Sequence, residues 1–297
     1  MLTGELAALG TAFCWACGTL LFTFAGRLIG SYNVNKLRIP IAMIFLATLL
    51  LVQHGTLFPS GLNNRALIYL SASGIIGLTL GDTFYFRCLV ILGSRLGALM
   101  MSLAPVMTAL FAFILIGEHL SALALTGIAV TLSGVAWVAT DKKENRIDSR
   151  EGSKPFGLLM GFLGASGQAL GLVLAKEAMD GVFDATSATF IRMAAASVTI
   201  WIWAALRGES TRTLRQLKVP KALLSVSGAA FLGPTVGVTL SLVAVKYAQA
   251  GVAATIMSTF PIIVIPLAFY FNKERPTWRS IVGSIIAIAG VALLFLE

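Results

Sequence analysis

The sequence predicts an all-α integral membrane protein with ten transmembrane helices, arranged as two inverted five-helix repeats. Three observations predict this fold. Apolar residues make up 57% of the 297 residues and charged residues only 12%, whereas a soluble domain carries about 25% charged residues. The apolar residues gather into ten long runs, and the second half of the sequence repeats features of the first. The mean hydropathy of +0.88 leaves too little polar surface to cover a water-facing protein.

Ten apolar runs are long enough to cross a bilayer, since a membrane-spanning helix needs about 20 residues. Only helices and closed barrels satisfy their own backbone in lipid, and barrel strands alternate in polarity and span about ten residues. Three small-x-x-x-small pairs predict close helix packing: Gly77 with Gly81, Gly157 with Gly161, and Gly167 with Gly171. The predicted segments are 4–27, 34–53, 66–86, 95–116, 121–140, 155–176, 185–206, 220–244, 249–271 and 277–296.

A polar connector, residues 141–154, separates a first unit (1–140) from a second (155–297). Sliding the chain by 156 residues places Pro105 on Pro261 and Glu118 on Glu274 without a gap, and a shift of 154 places Arg38 on Arg192. These matches indicate a duplication. Each unit holds five segments, an odd number, so the second enters the membrane from the opposite side. Inverted repeats of this kind occur in secondary transporters, with the substrate site near the midplane between the halves.

The basic residues predict the orientation. Lys and Arg exceed Asp and Glu by 22 to 13, giving a net charge of +9. Eighteen of the 22, including Lys36, Arg38, Arg87 and Arg95, are assigned to loops on one side, and three to the other. Such a bias marks the cytoplasmic side, so both termini are expected outside the cytoplasm. The loop placement argues against nucleic acid as a partner and for the lipid bilayer. We expect a multi-pass protein of the cell (inner) membrane.

The ends of the two halves resemble the drug/metabolite transporter superfamily, in particular proteins built of two EamA domains. These ends read SLAPVMTALFAFILIGEHL and STFPIIVIPLAFYFNKERP, each with a proline in the fourth helix and a glutamate after it. KLRIPIAMIF and FIRMAAASVTI resemble the family's second-helix arginine, and Trp15 its first-helix tryptophan. The sequence departs from the family at Asn272-Lys273-Glu274, where Gly-Glu is common. The resemblance implies a cavity lined by helices 1–4 and 6–9, and cytoplasmic termini, opposite to the charge bias.

These features predict a secondary transporter that exports or exchanges a small metabolite, an amino acid or an amphipathic compound, by alternating access. A non-transporting membrane scaffold or an integral membrane enzyme is the alternative, although no nucleophile constellation or phosphate loop supports an enzyme. His54 and His119 stand alone, without metal-ligand spacing. We therefore expect no cofactor and no metal. Cys14 and Cys17, inside an apolar segment, are interpreted as packing residues.

Asp82 is the most informative single residue, because a carboxylate in the bilayer interior is costly and usually faces a cavity or a partner. Three interpretations stay open: a group that carries a proton during transport, the partner of Arg38 or Arg87 in a structural ion pair, or a carboxyl group that is simply protonated and has no function. Arg38 and Arg192 either bind an anionic substrate group or extend to the membrane interface. The predicted cavity residues are Trp15, Arg38, Asp82, Tyr85, Phe86, Gln168, Arg192, Thr239 and Ser241. Pro105 and Pro261 are predicted hinges, and Glu118 and Glu274 helix-end residues.

Overall fold

Helices account for nearly all of the described chain, and no strand occurs within it. The computed structural model describes residues 2–57, 63–116, 121–141, 152–179, 185–247, 256–271, 273 and 275–293. In the first half, α1 is Leu2–Ile29, α2 Ser31–His54, α3 Asn64–Ser73, α4 Asp82–Met101, α5 Leu103–Ile116 and α6 Ala122–Ala139. In the second half, α7 is Lys154–Met179, α8 Ala185–Leu206, α9 Ser210–Arg215, α10 Pro220–Ala230, α11 Val238–Tyr247, α12 Phe260–Phe271 and α13 Trp278–Leu293.

The helices have the length and composition of membrane spans. Within the described residues, seven are long and apolar enough to cross a bilayer, and one of these runs from Asn64 to Met101 through α3 and α4. Three more apolar helices, α5, α12 and α13, are shorter. The prediction of an all-helical, multi-pass membrane protein is confirmed. The count of ten spans stays a prediction.

Two π-helical segments interrupt corresponding helices of the two halves. Gly74–Gly81 joins α3 to α4, and Phe231–Gly237 joins α10 to α11. The sequence shift of 156 residues superposes these two segments almost completely. A π turn widens the helix by one residue, and such turns occur most often at functional sites. The sequence analysis did not predict them.

Glycines bring the third and sixth predicted segments into backbone contact. A Cβ atom added at Gly167 would lie 2.7 Å from the Cα atom of Gly81, and one added at Gly171 would lie 3.0 Å from the Cα atom of Gly77. Real side chains do not fit at the first of these distances. The predicted role of these small-x-x-x-small pairs in close packing is therefore confirmed.

The fourth segment of each half is broken just before its proline. In the first half, α4 ends at Met101 and Ser102 forms a turn, so that Pro105 is the third residue of α5. In the second half, the chain turns at 258–259 and Pro261 is the second residue of α12. Each proline lies in the first turn of a new helix, where its missing N–H removes no helical hydrogen bond. The role of Pro105 and Pro261 as hinges stays a prediction.

Another break separates the third segment from the fourth. Gly93 has a φ of 85°, which ends one helical stretch of α4 and starts the next. The third segment was expected to end at residue 86, but it continues to this glycine. Arg87 and Arg95 consequently lie inside α4 rather than in a loop.

Some basic residues counted as loop charges are buried inside helices. Lys36 and Arg38 belong to α2 and are only 1% and 5% exposed, and Arg95 of α4 is 7% exposed. These three and Arg87 do not report on the membrane side of a loop. Without them the bias still favours the same side, so the orientation with external termini stays a prediction.

The halves pack against each other in matched pairs. α1 contacts α10, α11 and α12 of the second half, while α7 contacts α3, α4 and α5 of the first. α2 contacts α8, and α6 contacts α13. Exchanging the two halves therefore turns each of these contacts into another of them or into itself.

Candidate functional site

Asp82 lies where the two halves meet, at the first residue of α4 after the π segment Gly74–Gly81. Its side chain is almost fully buried, with 6% of the residue exposed. Nη2 of Arg38 donates to Oδ2 of Asp82, and Nε2 of Gln168 donates to Oδ1. Arg38 belongs to the first half and Gln168 to the second. One carboxylate is thus held by donors from both repeats.

Arg38 forms the predicted ion pair with Asp82. It is buried, so the interpretation that it extends to the membrane interface is wrong. Its guanidinium lies 5.2 Å from the ring centre of Phe86 and 5.9 Å from that of Phe22, over both faces, as cation–π contacts require. The other candidate partner of Asp82, Arg87, lies over the ring of Phe156 at 4.9 Å.

Asn35 is a member of this site that the sequence analysis missed. Its Oδ1 accepts a hydrogen bond of 3.3 Å from Nε of Arg38, and its Nδ2 lies 2.9 Å from Oγ1 of Thr83. Nδ2 also donates to the π-segment carbonyls of Leu78 and Thr79, at 3.0 and 3.2 Å. Asn35 therefore orients the arginine and satisfies carbonyls of the π segment. Its spacing of three residues from Arg38 puts both on one helix face, which was the available signal.

Gln168 and Arg192 bring the second half to the site. Nε2 of Gln168 also lies 3.3 Å from the carbonyl oxygen of Gly77. Nη2 of Arg192 lies 3.5 Å from the position that a Cβ atom on Gly77 would occupy, so the guanidinium lies beside this glycine. Arg192 interacts electrostatically with Asp82. Asp82 thus has both repeat-related arginines beside it.

The remaining predicted cavity residues fall into two groups. Phe86 and Tyr85 follow Asp82 along α4, and the Tyr85 hydroxyl lies 3.4 Å from Oγ1 of Thr19 on α1. Trp15 instead packs edge-on against Phe260, with ring centres 6.3 Å apart. Thr239 and Ser241, on α11, donate to carbonyls of their own helix at 2.7 Å. These contacts of Trp15, Thr239 and Ser241 do not include a residue of the Asp82 group, and their role in a cavity stays a prediction.

Two ion pairs join the halves at opposite ends of the bundle. Nζ of Lys36 lies 3.1 Å from Oε2 of Glu209, at the edge of a cleft that α1, α2 and the region before α9 form. Nη2 of Arg65 lies 3.7 Å from Oε2 of Glu177, where α3 begins and α7 ends. The Lys36 pair is buried on the lysine side and the Arg65 pair is exposed. Asp82 lies between these two end contacts along α2–α4.

Some predictions lie outside the described residues, namely Glu118, Glu274 and most of the connector 141–154. Within the described ranges, no three His, Cys, Asp or Glu residues group as metal ligands would. The candidate site is the polar junction of buried Asp82, Arg38 and Asn35 with half-buried Gln168 and Arg192, which we call the Asp82 junction.

Comparisons with known proteins identify the fold and the family. A solved structure titled "Crystal structure of protein" is 17% identical, with a TM-score of 0.67 over 98% of this chain and 95% of that chain, and it shows the same fold. No curated protein matches the chain. The model of the EamA-like transporter family matches twice, over residues 2–140 and 155–296. Because these matches cover nearly the whole sequence, the chain belongs to the EamA-like transporter family, membrane transporters of the drug/metabolite transporter superfamily.

Proposed function

We propose that this protein is a secondary transporter that exports or exchanges a small metabolite by alternating access around the Asp82 junction. One observation carries the proposal: a buried carboxylate of the first half accepts hydrogen bonds from Arg38 of its own half and from Gln168 of the other. A charged group in the bilayer interior is costly to maintain and usually serves a transport pathway.

The proposal takes the two halves as inverted repeats. The exchange of the halves preserves the packing of α1, α2, α6, α7 and their partners, as a pseudo-two-fold axis requires. The paired π segments and the paired breaks before Pro105 and Pro261 follow the same relation. An axis of this kind in the membrane plane places the substrate site between the halves.

During alternating access, the contacts of Asp82 with Arg38 and with Gln168 differ in how easily they break. The ion pair of Arg38 with Asp82 lies within the first half, so it can persist while the halves move. The bonds of Gln168 to Asp82 and to Gly77 cross between the halves and involve a neutral amide. Only the acceptor of the Gln168–Asp82 bond carries a charge, whereas both members of the Arg38–Asp82 pair do, and breaking that pair leaves a buried charge uncompensated. We therefore expect the Gln168 contacts to break when the site changes sides.

An amino acid or an amphipathic compound suits a site with aromatic and charged walls. The rings of Phe22 and Phe86 lie 4.7 Å apart beside the guanidinium of Arg38, so apolar and polar surfaces adjoin. Ligand pockets combine apolar walls with a few polar groups in this way. The direction, export or exchange, follows from the family resemblance.

Counterflow in proteoliposomes tests the transport function. Growth of overexpressing cells on toxic amino acid analogues and amphipathic compounds first selects the solutes. Vesicles preloaded with an unlabelled solute should then take up its labelled form saturably. Gln168→Ala should slow this uptake, whereas Leu172→Ala, a change on the exposed face of the same helix, should not. Absence of counterflow for every solute would instead indicate a membrane scaffold or an enzyme.

A further inference from the structure

The Asp82 junction carries unbalanced positive charge. The groups that face it are Arg38 from α2, Asp82 from α4, the neutral amide of Gln168 from α7, and Arg192 from α8. An arginine remains protonated in proteins. Two guanidinium groups therefore face one carboxylate, and the junction stays positive whether or not Asp82 holds a proton.

Arg192 is the group without a hydrogen-bond partner. Among the described residues its guanidinium makes no hydrogen bond, and its Nε is buried. The two oxygens of Asp82 are already engaged by Arg38 and Gln168. An unsatisfied buried donor costs free energy, more so when it is charged. The guanidinium of Arg192 thus offers hydrogen-bond donors and a positive charge to a ligand, next to Gly77, which has no side chain.

We propose that the substrate is an organic monoanion whose carboxylate is bound by Arg192; this inference rests on the proposed transport function and names its substrate class. The planar guanidinium matches a carboxylate with two parallel hydrogen bonds. A single negative charge neutralises the junction while Asp82 is ionised. A zwitterion adds no net charge and a cation adds a positive one, so both leave the excess in place. Among the amino acids and amphipathic compounds proposed above, the substrate class therefore narrows to those with one net negative charge.

A series that differs only in head-group charge tests the inference. The melting temperature of the purified protein is measured with 3-phenylpropionate, 3-phenylpropionamide, phenylalanine and phenethylamine. Acetate and butyrate are added as smaller carboxylates, so that the size of the phenyl group does not prevent binding. We expect the monoanions 3-phenylpropionate, acetate and butyrate to raise the melting temperature. The neutral amide, the zwitterion phenylalanine and the cationic phenethylamine should leave it unchanged. Arg192→Gln should weaken carboxylate binding by at least about tenfold. Arg192→Lys should retain part of it, since the charge remains.

The ligand-free melting temperature separates binding from a structural role. Arg192→Gln removes a half-buried charge whose Nε has no hydrogen-bond partner among the described residues, so this variant should melt at or above the wild-type temperature. A lower temperature would make Arg192 a structural partner of Asp82 and overturn the inference. Equal stabilisation of Arg192→Gln and wild type by carboxylates, or no stabilisation of the wild type, would overturn it as well. Chloride at equal ionic strength and the exposed Arg65→Gln variant control for general salt effects.

Counterflow of the same series distinguishes this inference from the transport function. If carboxylates bind but show no counterflow, the anion site is supported and the transport function is refuted. If the amide or the amine shows saturable counterflow and the carboxylates show none, the transport function is supported and the anionic substrate is refuted.

Discussion

Asp82 is held by one contact that is expensive to break and one that is not. Its ion pair with Arg38 is buried on both sides, with 6% and 8% of the two side chains exposed. Losing one partner of such a pair leaves a buried charge uncompensated. The bond from Gln168 is the one that joins the halves. At the scale of residues, the junction is therefore a fixed pair with a releasable neighbour.

Asp82→Asn should destabilise the protein by about 3–5 kcal/mol, because Arg38 then remains buried without its carboxylate partner. The double variant Arg38→Gln with Asp82→Asn should recover most of this loss, since both members of the pair become neutral. Thermal or denaturant unfolding in detergent measures both. Arg65→Gln, which removes an exposed pair, should change stability by less than about 1 kcal/mol and serves as the control.

A stable Asp82→Asn protein would contradict the structural importance of the pair. If that stable protein also lost its dependence on a pH gradient, the other interpretation of Asp82, a carrier of protons, would gain support. The paired geometry favours the first outcome.

Helix interruptions occur at corresponding places in both halves. The π segments Gly74–Gly81 and Phe231–Gly237 interrupt the third and eighth predicted segments, and turns at Ser102 and 258–259 interrupt the fourth and ninth. Interrupted helices leave carbonyls that other groups must satisfy, as Asn35 does for Leu78 and Thr79. Such places allow a helix to bend without the loss of a complete turn.

Replacing Pro105 or Pro261 with alanine should slow transport and leave substrate binding nearly unchanged. Alanine supplies the N–H that proline lacks, so the segments before and after each break can join into one helix. A hydrogen bond newly formed across the break is worth about 1 kcal/mol, which corresponds to a roughly fivefold slower conformational step. Counterflow rates and binding affinities measure the two effects. Wild-type rates in both variants would make these prolines remnants of the duplication without a mechanical role.

Much of the fold could be predicted from the sequence, because apolar length and glycine spacing act locally. The pairs around Gly77 and Gly167 needed only small residues four apart to predict close helix contact. The π segments could not be predicted, since a change from four- to five-residue hydrogen bonding leaves no mark in composition. The choice of Arg38 over Arg87 as partner of Asp82 was also undetermined, because it depends on how α2 packs beside α4. The same packing makes Asn35 part of the site.

The whole molecule consists of two similar halves that share one charged junction. End contacts between the halves, Lys36 with Glu209 and Arg65 with Glu177, lie on either side of it. A transporter of this design opens one end while the other stays closed, so the junction must become accessible from each face in turn.

Thiol accessibility at the junction tests this alternation most directly. In a protein without Cys14, Cys17 and Cys88, a Gln168→Cys variant is exposed to a membrane-impermeant thiol reagent in right-side-out and in inverted vesicles. Leu172, one turn further along α7, is exposed at the surface of the helix bundle, which faces lipid in the membrane. Leu172→Cys is therefore the control and should not react from either face. Alternating access predicts that the cysteine at position 168 reacts from both faces. Two results would contradict alternating access. The cysteine reacts from neither face, or it reacts from one face only in the presence of every solute that the protein binds.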